Sequence, residues 1–410
     1  MATILCSNCI EDPYLKQNII EEGEPGECDV CDEEQPTTIS ISRLGEILEP
    51  ILRKHIKQGE EVRRFDSDDD NGYYEQEGDD LDHFVQEILG QYFDFNNEII
   101  EAVIDAEGCW PPDGDEPFFD TSCCYVSTEV LDYEYQLGWK DLRKEIQTRR
   151  RFFSSVAKEF FDELFSDVDT LLTHSFPKDE SGVVLTVPLG FPIYRSRACG
   201  SESVLQAMFD NPYKEVGPPP PEKARAGRMN PEGISMLYGA TEKETCLAEL
   251  RPPLGGDAAT IKVETIESLR LLDFTRMTKA YKLLSYFQPD FEQQAARFKF
   301  LRSLGELISR PVTPGHEDEY LITQTMMEYL AEVHSKPFDG VLFGSAQRKG
   351  GVNVVLFART EDDAPVFPVR YLKDSLSISE TTEITYKHQE RKYRLSDDGR
   401  VEPDWDWWDE

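Results

Sequence analysis

The chain has 410 residues, 39% of them hydrophobic, with 80 acidic and 43 basic side chains and a net charge of −37. That length exceeds one ordinary core, so two or three domains are expected. Residues 1–180 hold 45 Asp and Glu against 15 Lys and Arg, leaving −30, and residues 181–410 hold the remaining 35 and 28, leaving −7. An acidic first half repels nucleic acid and anionic lipid, so neither is an expected partner.

The chain opens on "MATILCSNC", without the basic-then-apolar order of a secretory signal. No run approaches the length of a membrane span. The cytoplasm is therefore the expected compartment. Cys6 and Cys9 form one C-x2-C pair and Cys28 and Cys31 another, with eighteen residues between the pairs. Each pair aims two sulfurs at one point, so residues 1–36 are expected to form a zinc ribbon or knuckle. Four thiolates then surround a structural Zn²⁺ and leave no open position for catalysis.

Residues 37–180 are expected to form an acidic, mainly helical domain. "ISISRLGEILEPILRKHI" (39–56) has helical spacing behind Ser40 or Ser42 as N-cap, and "RRFDSDDDNGYYEQEGDD" reads as a solvated loop. Helices are expected at 81–93 and 97–104, a Pro/Gly break at 108–120, and one long amphipathic helix over 139–165. That helix would place Leu142, Ile146, Phe153, Val156, Phe160 and Leu164 on one buried face.

From residue 181 the texture changes to short β-rich runs: "ISMLYGA", "AATIKVETI", "LRLLDF", "DGVLFGSA" and "VNVVLFAR". Helical stretches at 242–250, 291–308 and 318–335 intervene, so the fold class is α+β. This domain is placed at 181–375. Residues 376–410 form a C-terminal extension whose acidic, Trp-rich end is either a tail or a docking peptide.

Chemistry concentrates in "GRMNPEGISMLYGATEKETCLAE" (227–249). "NPEG" suits a turn, "ISMLYG" a strand, and Thr241 with Glu244 a capping box opening a helix that "RPP" stops at Arg251. Cys246, Leu247 and Leu250 are expected to face the core, with Glu249 on the flank. Arg195 lies in the strand "PIYRSR", where a cation is costly unless paired or holding an anion. Ser345 ends the strand before a Gly- and Lys/Arg-containing loop.

The order Arg195, "GRMNPEGISMLYGATEKETCLAE", "YLITQTMMEYLA" and "FDGVLFGSAQRKGGVNVVLF" resembles the RES domain family, named for its Arg, Glu and Ser, over about 183–372. Ahead of it, "ILCSNCIEDPYL" and "GECDVC" followed by helices is similar to the HEPN-like region that precedes some RES domains. The resemblance implies an ADP-ribosyltransferase-like fold and NAD⁺ as substrate. It implies a toxin of a toxin–antitoxin pair, or a related effector, that destroys NAD⁺ by phosphorolysis or hydrolysis; some members are described as ADP-ribosylating proteins. The family arginine falls on Arg195, the tyrosine on Tyr238, the glutamate on Glu249 and the serine on Ser345. This chain has Met229 where many members carry Trp, and Ser196 where an aromatic can follow the first arginine.

The chemistry agrees with those roles. Arg195 and Arg228 suit the diphosphate, and the ring of Tyr238 suits the cationic nicotinamide. Glu249 suits the oxocarbenium character that develops as the nicotinamide–ribose bond breaks, and Ser345 suits orienting Glu249 or a ribose hydroxyl. Nicotinamide leaves neutral, so one carboxylate suffices. An antitoxin or regulatory protein and a homo-oligomer are the partners this reading leaves open.

Three rivals are weighed against it. Transfer of ADP-ribose to a protein keeps the fold and changes only the acceptor. A ribonuclease would need an arginine five to seven residues before a helical histidine; His55, His83 and His174 lack one, and Arg310 with His316 sits in a proline-broken loop. A non-catalytic interaction protein would act through its acidic, zinc-containing first half.

Overall fold

The computed structural model describes residues 3–66, 69–109, 116–150, 153–175, 179–309, 320–385, 393–395 and 400–403. Residues 110–115 of the expected break at 108–120, the Arg310–His316 spacing and the Trp-rich end after residue 403 lie outside the described residues. The chain divides into two compact units, one of Met1–Val184 with Arg276–Ile308 and one of Leu185–Thr275 with Ser309–Glu410. Both helices and strands contribute throughout, so the fold is α+β. The sequence reading keeps 276–308 within the second domain, whereas that stretch packs within the first unit.

In the first unit, strands Ile4–Cys6, Glu33–Ser40 and Glu24–Cys28 form a three-stranded sheet in that spatial order. The Ser40 hydroxyl accepts from the Arg43 N–H and so caps the helix Ile41–His55. That helix buries Leu44, Leu48 and Leu52, a spacing of four that makes one apolar stripe. Against it lie helices Leu81–Leu89 and Asn96–Glu107, and their side chains share a core with Leu5, Leu15, Ile19 and Tyr125. The expected zinc module and the helices behind it thus share one hydrophobic core.

Two expectations need correction. The acidic loop after residue 60 is a hairpin, Glu61–Asp66 against Asp69–Gln76. The expected long helix over 139–165 is two helices, Tyr133–Thr148 and Ser155–Leu164. Phe153 adopts φ +58° between them and Ser154 caps the second by accepting from the Ala157 N–H. A left-handed residue cannot continue a helix, so the stripe loses its phase. Phe153 and Val156 are exposed, while Leu142, Ile146 and Leu164 stay buried.

The second unit is built on a nine-stranded mixed sheet. Its strands in chain order are β1 (Val184–Val187), β2 (Pro192–Cys199), β3 (Met236–Ala240), β4 (Asp257–Thr265), β5 (Leu269–Asp273), β6 (Gly340–Gly344), β7 (Val352–Phe357), β8 (Val369–Tyr371) and β9 (Ser377–Glu380). The spatial order is β1-β5-β6-β7-β3-β2-β4-β8, with β9 also pairing β4. β5 and β6 run parallel, while β2–β4, β3–β7 and β6–β7 are antiparallel. Strands β6 and β7 are buried almost throughout, which is why "GVLF" and "VVLF" read as continuous apolar runs. Helices α1 (Glu202–Asp210), α2 (Pro212–Val216), α3 (Lys243–Leu250) and α4 (Tyr320–Glu328) complete what the site needs.

Candidate active site

Glu249 sits in the last turn of α3, a helix the chain starts and stops within eight residues. The expected capping box does not form. Glu242 occupies the N-cap without a side-chain bond to the helix's own N–H groups, and Thr241 donates from both its N–H and its hydroxyl to the Val352 carbonyl. The core-facing pair is Thr245 and Cys246, while Leu247 and Leu250 are half-buried. Arg251 ends the helix at φ +49°, with Pro252 behind it.

One carboxylate oxygen of Glu249 is fixed from two sides. Its Oε1 accepts from Ser345 Oγ at 2.6 Å and from Asn353 Nδ2 at 2.9 Å. Ser345 Oγ in turn accepts from the backbone N–H groups of Gln347 at 3.2 Å and Arg348 at 3.1 Å. The hydroxyl proton is thereby left for Glu249. The loop closes on itself, the Ser345 N–H donating to Gly351 O and the Gly351 N–H to Arg348 O. Arg348 reaches back to α3, donating to the Glu242 carboxylate and to Thr245 Oγ1. Gly351 passes so close to Thr245 that a Cβ would meet Oγ1 at 2.6 Å, so the loop needs glycine there.

Arg195 lies in β2 and its fork is largely committed to backbone. Nε donates to Val216 O at 2.9 Å and to Gly217 O at 3.0 Å, and Nη1 donates to Tyr238 O at 2.6 Å. Arg195 thus ties the end of α2 to β3. Burial pushes its guanidinium below the ordinary value.

Tyr238 likewise has its hydroxyl occupied. It donates to Asn230 Oδ1 at 2.6 Å and accepts from the Met229 N–H at 3.1 Å. Burial pushes it up to about 12, so it stays protonated at neutral pH. Asn230 is 3% exposed and organises the turn before β3, its Nδ2 donating to the carbonyls of Arg225, Pro231 and Ile234. From α4, Gln324 Nε2 donates to the Gly227 and Asn230 carbonyls, and Thr323 Oγ1 donates to Arg228 O. These bonds explain the "ITQT" of the third motif. Met229 is fully buried, so this position packs in the core instead of walling a pocket. Ser196 Oγ lies 2.7 Å from Thr260 Oγ1.

These groups meet at a cavity of about 320 Å³ lined by Arg195, Arg228, Tyr238, Glu249, Arg251 and Asn353, among others, within the size range of small-molecule sites. Of the five site residues expected in the second unit, Arg195, Arg228, Tyr238 and Glu249 line it, and the fifth, Ser345, hydrogen-bonds Glu249. The charged lining is three arginines against one glutamate, a net +2 in a chain of −37. Burial lowers Arg228 as well, with Tyr320, Glu249 and Tyr238 opposing and Arg251 adding to the effect. The Cys246 thiol, also in the lining, is pushed up by burial against the pull of Ser196 and Arg195, which makes it a poor nucleophile.

Sequence reasoning missed Asn353, Asn230 and Arg251. Asn353 was visible as a lone amide inside "VNVVLF", where a buried polar group demands a partner. Asn230 was hidden in turn chemistry, and Arg251 was read only as the residue that ends a helix.

In the first unit, the thiols of Cys6, Cys9, Cys28 and Cys31 all lie within 4.8 Å of one another. The Cys6 N–H points at Cys28 Sγ at 3.3 Å, and Gln35 Nε2 donates to Cys31 Sγ at 3.7 Å. Burial opposes ionisation of Cys28, yet the N–H groups of Cys31, Val30 and Cys6 outweigh it and bring that thiol down to about 7. Four converging sulfurs are a donor set that can hold a soft metal ion. Among the described residues no helix is long and apolar enough to cross a membrane.

Residues 192–379 match the family model described as RES domain. No curated protein and no solved structure matches the chain. The match begins beyond residue 180, and nothing in these comparisons supports the HEPN-like resemblance of the region before it.

Proposed function

Residues 192–379 are a RES domain, and from that premise we propose that the protein cleaves the nicotinamide–ribose bond of NAD⁺ as a toxin or effector that depletes it. The observation that supports this most is the Glu249 carboxylate, held by Ser345 and Asn353 in a pocket that otherwise carries only positive charge. As the C–N bond breaks, nicotinamide departs with the bonding electrons and becomes neutral, and positive charge grows on the ribose. A carboxylate whose dipolar surroundings are already arranged stabilises that charge without reorganisation. Its fixed Oε1 leaves Oε2 as the oxygen free of Ser345 and Asn353. Phosphate or water then forms the new C–O bond.

Arg195 contributes a buried charge and holds β3 so that Tyr238 stands in the pocket. The Tyr238 ring offers a π-face to the cationic nicotinamide. In the first unit, the four thiols hold a structural zinc ion on this reading.

The test is nicotinamide release from NAD⁺ by the purified full chain, followed by chromatography with and without phosphate. ADP-ribose-1″-phosphate or free ADP-ribose names the acceptor, and label carried onto protein names a side chain instead. Release that persists unchanged in Glu249→Gln would overturn the assignment of the site. No release from wild type would overturn the activity.

A further inference from the structure

Two stretches far apart in the chain meet at Glu249: α3, and the loop from Ser345 to Gly351 that follows β6. The backbone bonds of the loop run within it. The Ser345 N–H donates to Gly351 O, the Gly351 N–H to Arg348 O, and the Arg348 N–H to Ser345 Oγ at 3.1 Å. They shape the loop without fixing it to the helix that carries Glu249.

Side chains make that attachment, at both ends of α3. Ser345 holds Glu249 in the last turn. Arg348 Nη1 donates to the carboxylate of the N-cap residue Glu242 and, at 2.9 Å, to Thr245 Oγ1 in the first turn. Glu249 stands seven positions beyond Glu242, about 10 Å along a helix. One contact lets a loop swing about it, whereas two so far apart also fix its angle to the helix. Arg348 is the loop residue placed to give the second, since its neighbours Gln347 and Lys349 are exposed while it is half-buried. Glu242 stands where a side chain ordinarily caps the helix N–H groups, yet it makes no such bond and accepts from Arg348 instead. Thr245 is fully buried, so the other acceptor is anchored in the core.

We propose that Arg348 is a positioning residue: it anchors the Ser345–Gly351 loop to the start of α3 and so keeps the Ser345 hydroxyl on Glu249. Arg348 is not part of the pocket lining, so its effect on the reaction passes through Ser345 and vanishes where that hydroxyl is gone. The kinetic consequence rests on the NAD⁺-cleaving reading; the anchor does not. Both partners of the Arg348–Glu242 pair are partly exposed, so cutting it loosens the loop without unfolding the sheet behind it.

The experiment is a double-mutant cycle on the full chain: wild type, Arg348→Ala, Ser345→Ala and the pair, each assayed for nicotinamide release over a range of NAD⁺ concentrations. Arg348→Ala is expected to lower kcat about three- to tenfold with KM within about twofold of wild type, and to lower it no further in the Ser345→Ala background. Glu242→Ala cuts the same pair from the side of α3 and is expected to lower kcat in the same pattern to a smaller degree, since the bond to Thr245 remains. Losses that multiply across the cycle, or a change confined to KM, overturn the positioning role. Amide exchange on wild type and Arg348→Ala needs no turnover. The Ser345 and Gly351 N–H groups are expected to exchange at least about fivefold faster in the variant, while β7 keeps its protection and so reports an intact fold. Unchanged exchange at both amides overturns the anchor. Faster exchange there, with no nicotinamide release from wild type, retains the anchor and discards the NAD⁺-cleaving reading.

Discussion

Ser345 Oγ lies 2.6 Å from Glu249 Oε1, although the two residues are 96 positions apart in the chain. The contact joins the end of β6 to the last turn of α3, and Asn353 in β7 adds a donor to the same oxygen. A carboxylate held this way points in one direction before any ligand arrives, which is the condition for electrostatic catalysis.

Glu249→Gln keeps the shape and an acceptor oxygen for both donors but removes the charge. Nicotinamide release is expected to fall about 10²–10³-fold, the scale of losing one preorganised stabiliser. Thermal stability should change little, because the amide can satisfy the same hydrogen bonds. Chromatography of NAD⁺ incubations together with a melting curve reads both quantities. A melt that collapses alongside activity would assign Glu249 to structure.

Ser345 and Asn353 act on one oxygen, so their effects should not multiply. Ser345→Ala and Asn353→Ala are each expected to lower kcat about tenfold with a smaller change in KM, and the double variant to lose less than the product. Independent, multiplying losses would mean that the two side chains do separate work. A loss confined to KM would mean that they contact the substrate in preference to positioning Glu249.

The strands of the second unit were legible because β6 and β7 are apolar runs bounded by turn residues, and β3 sits between "NPEG" and a helix. Arg195, Glu249 and Ser345 were legible through motif order, although Arg195 lies inside β2, Glu249 in the last turn of α3 and Ser345 just past β6. What escaped was set by tertiary context. Whether Arg195 would spend its fork on carbonyls depends on where Val216 and Gly217 come to lie, and nothing local encodes that. The helix break at Phe153 escaped because its residues have acceptable helix propensity and only the Ser154 cap signals a restart. The hairpin at 61–76 escaped because charged side chains disfavour strands locally, although backbone pairing there tolerates them.

His55 supplies a pH prediction. It is 9% exposed, edge-on to Tyr286 at 5.2 Å and to Phe291 at 4.8 Å. Burial, with Lys54 adding to it and Glu292 opposing, holds the imidazole below its ordinary 6.5. The unfolded chain therefore binds that proton more readily than the folded one. The stability this residue contributes is full above about pH 6.5 and is lost as pH falls through the lower folded value. The urea midpoint of wild type is expected to drop more between about pH 7.5 and 5 than that of His55→Phe. Parallel declines would show that other groups carry the acid sensitivity.

The thiol cluster supplies the last. Cys6 and Cys28 are fully buried, Cys6 closing the strand that pairs with Thr38 and Cys28 the strand that pairs with Glu33. The thiol cluster and the three-stranded sheet therefore share strands. The purified chain is expected to carry about one zinc ion, and Cys28→Ser to lose it. A strong chelator should lower the melting temperature by several degrees or more, because metal affinity is here part of folding free energy. The four thiols belong to the first unit and the Glu249 pocket to the second, so nicotinamide release by folded, chelated protein separates a structural ion from one the reaction needs. Metal-free protein that melts where the zinc-loaded protein does would remove the ion from any account of this fold.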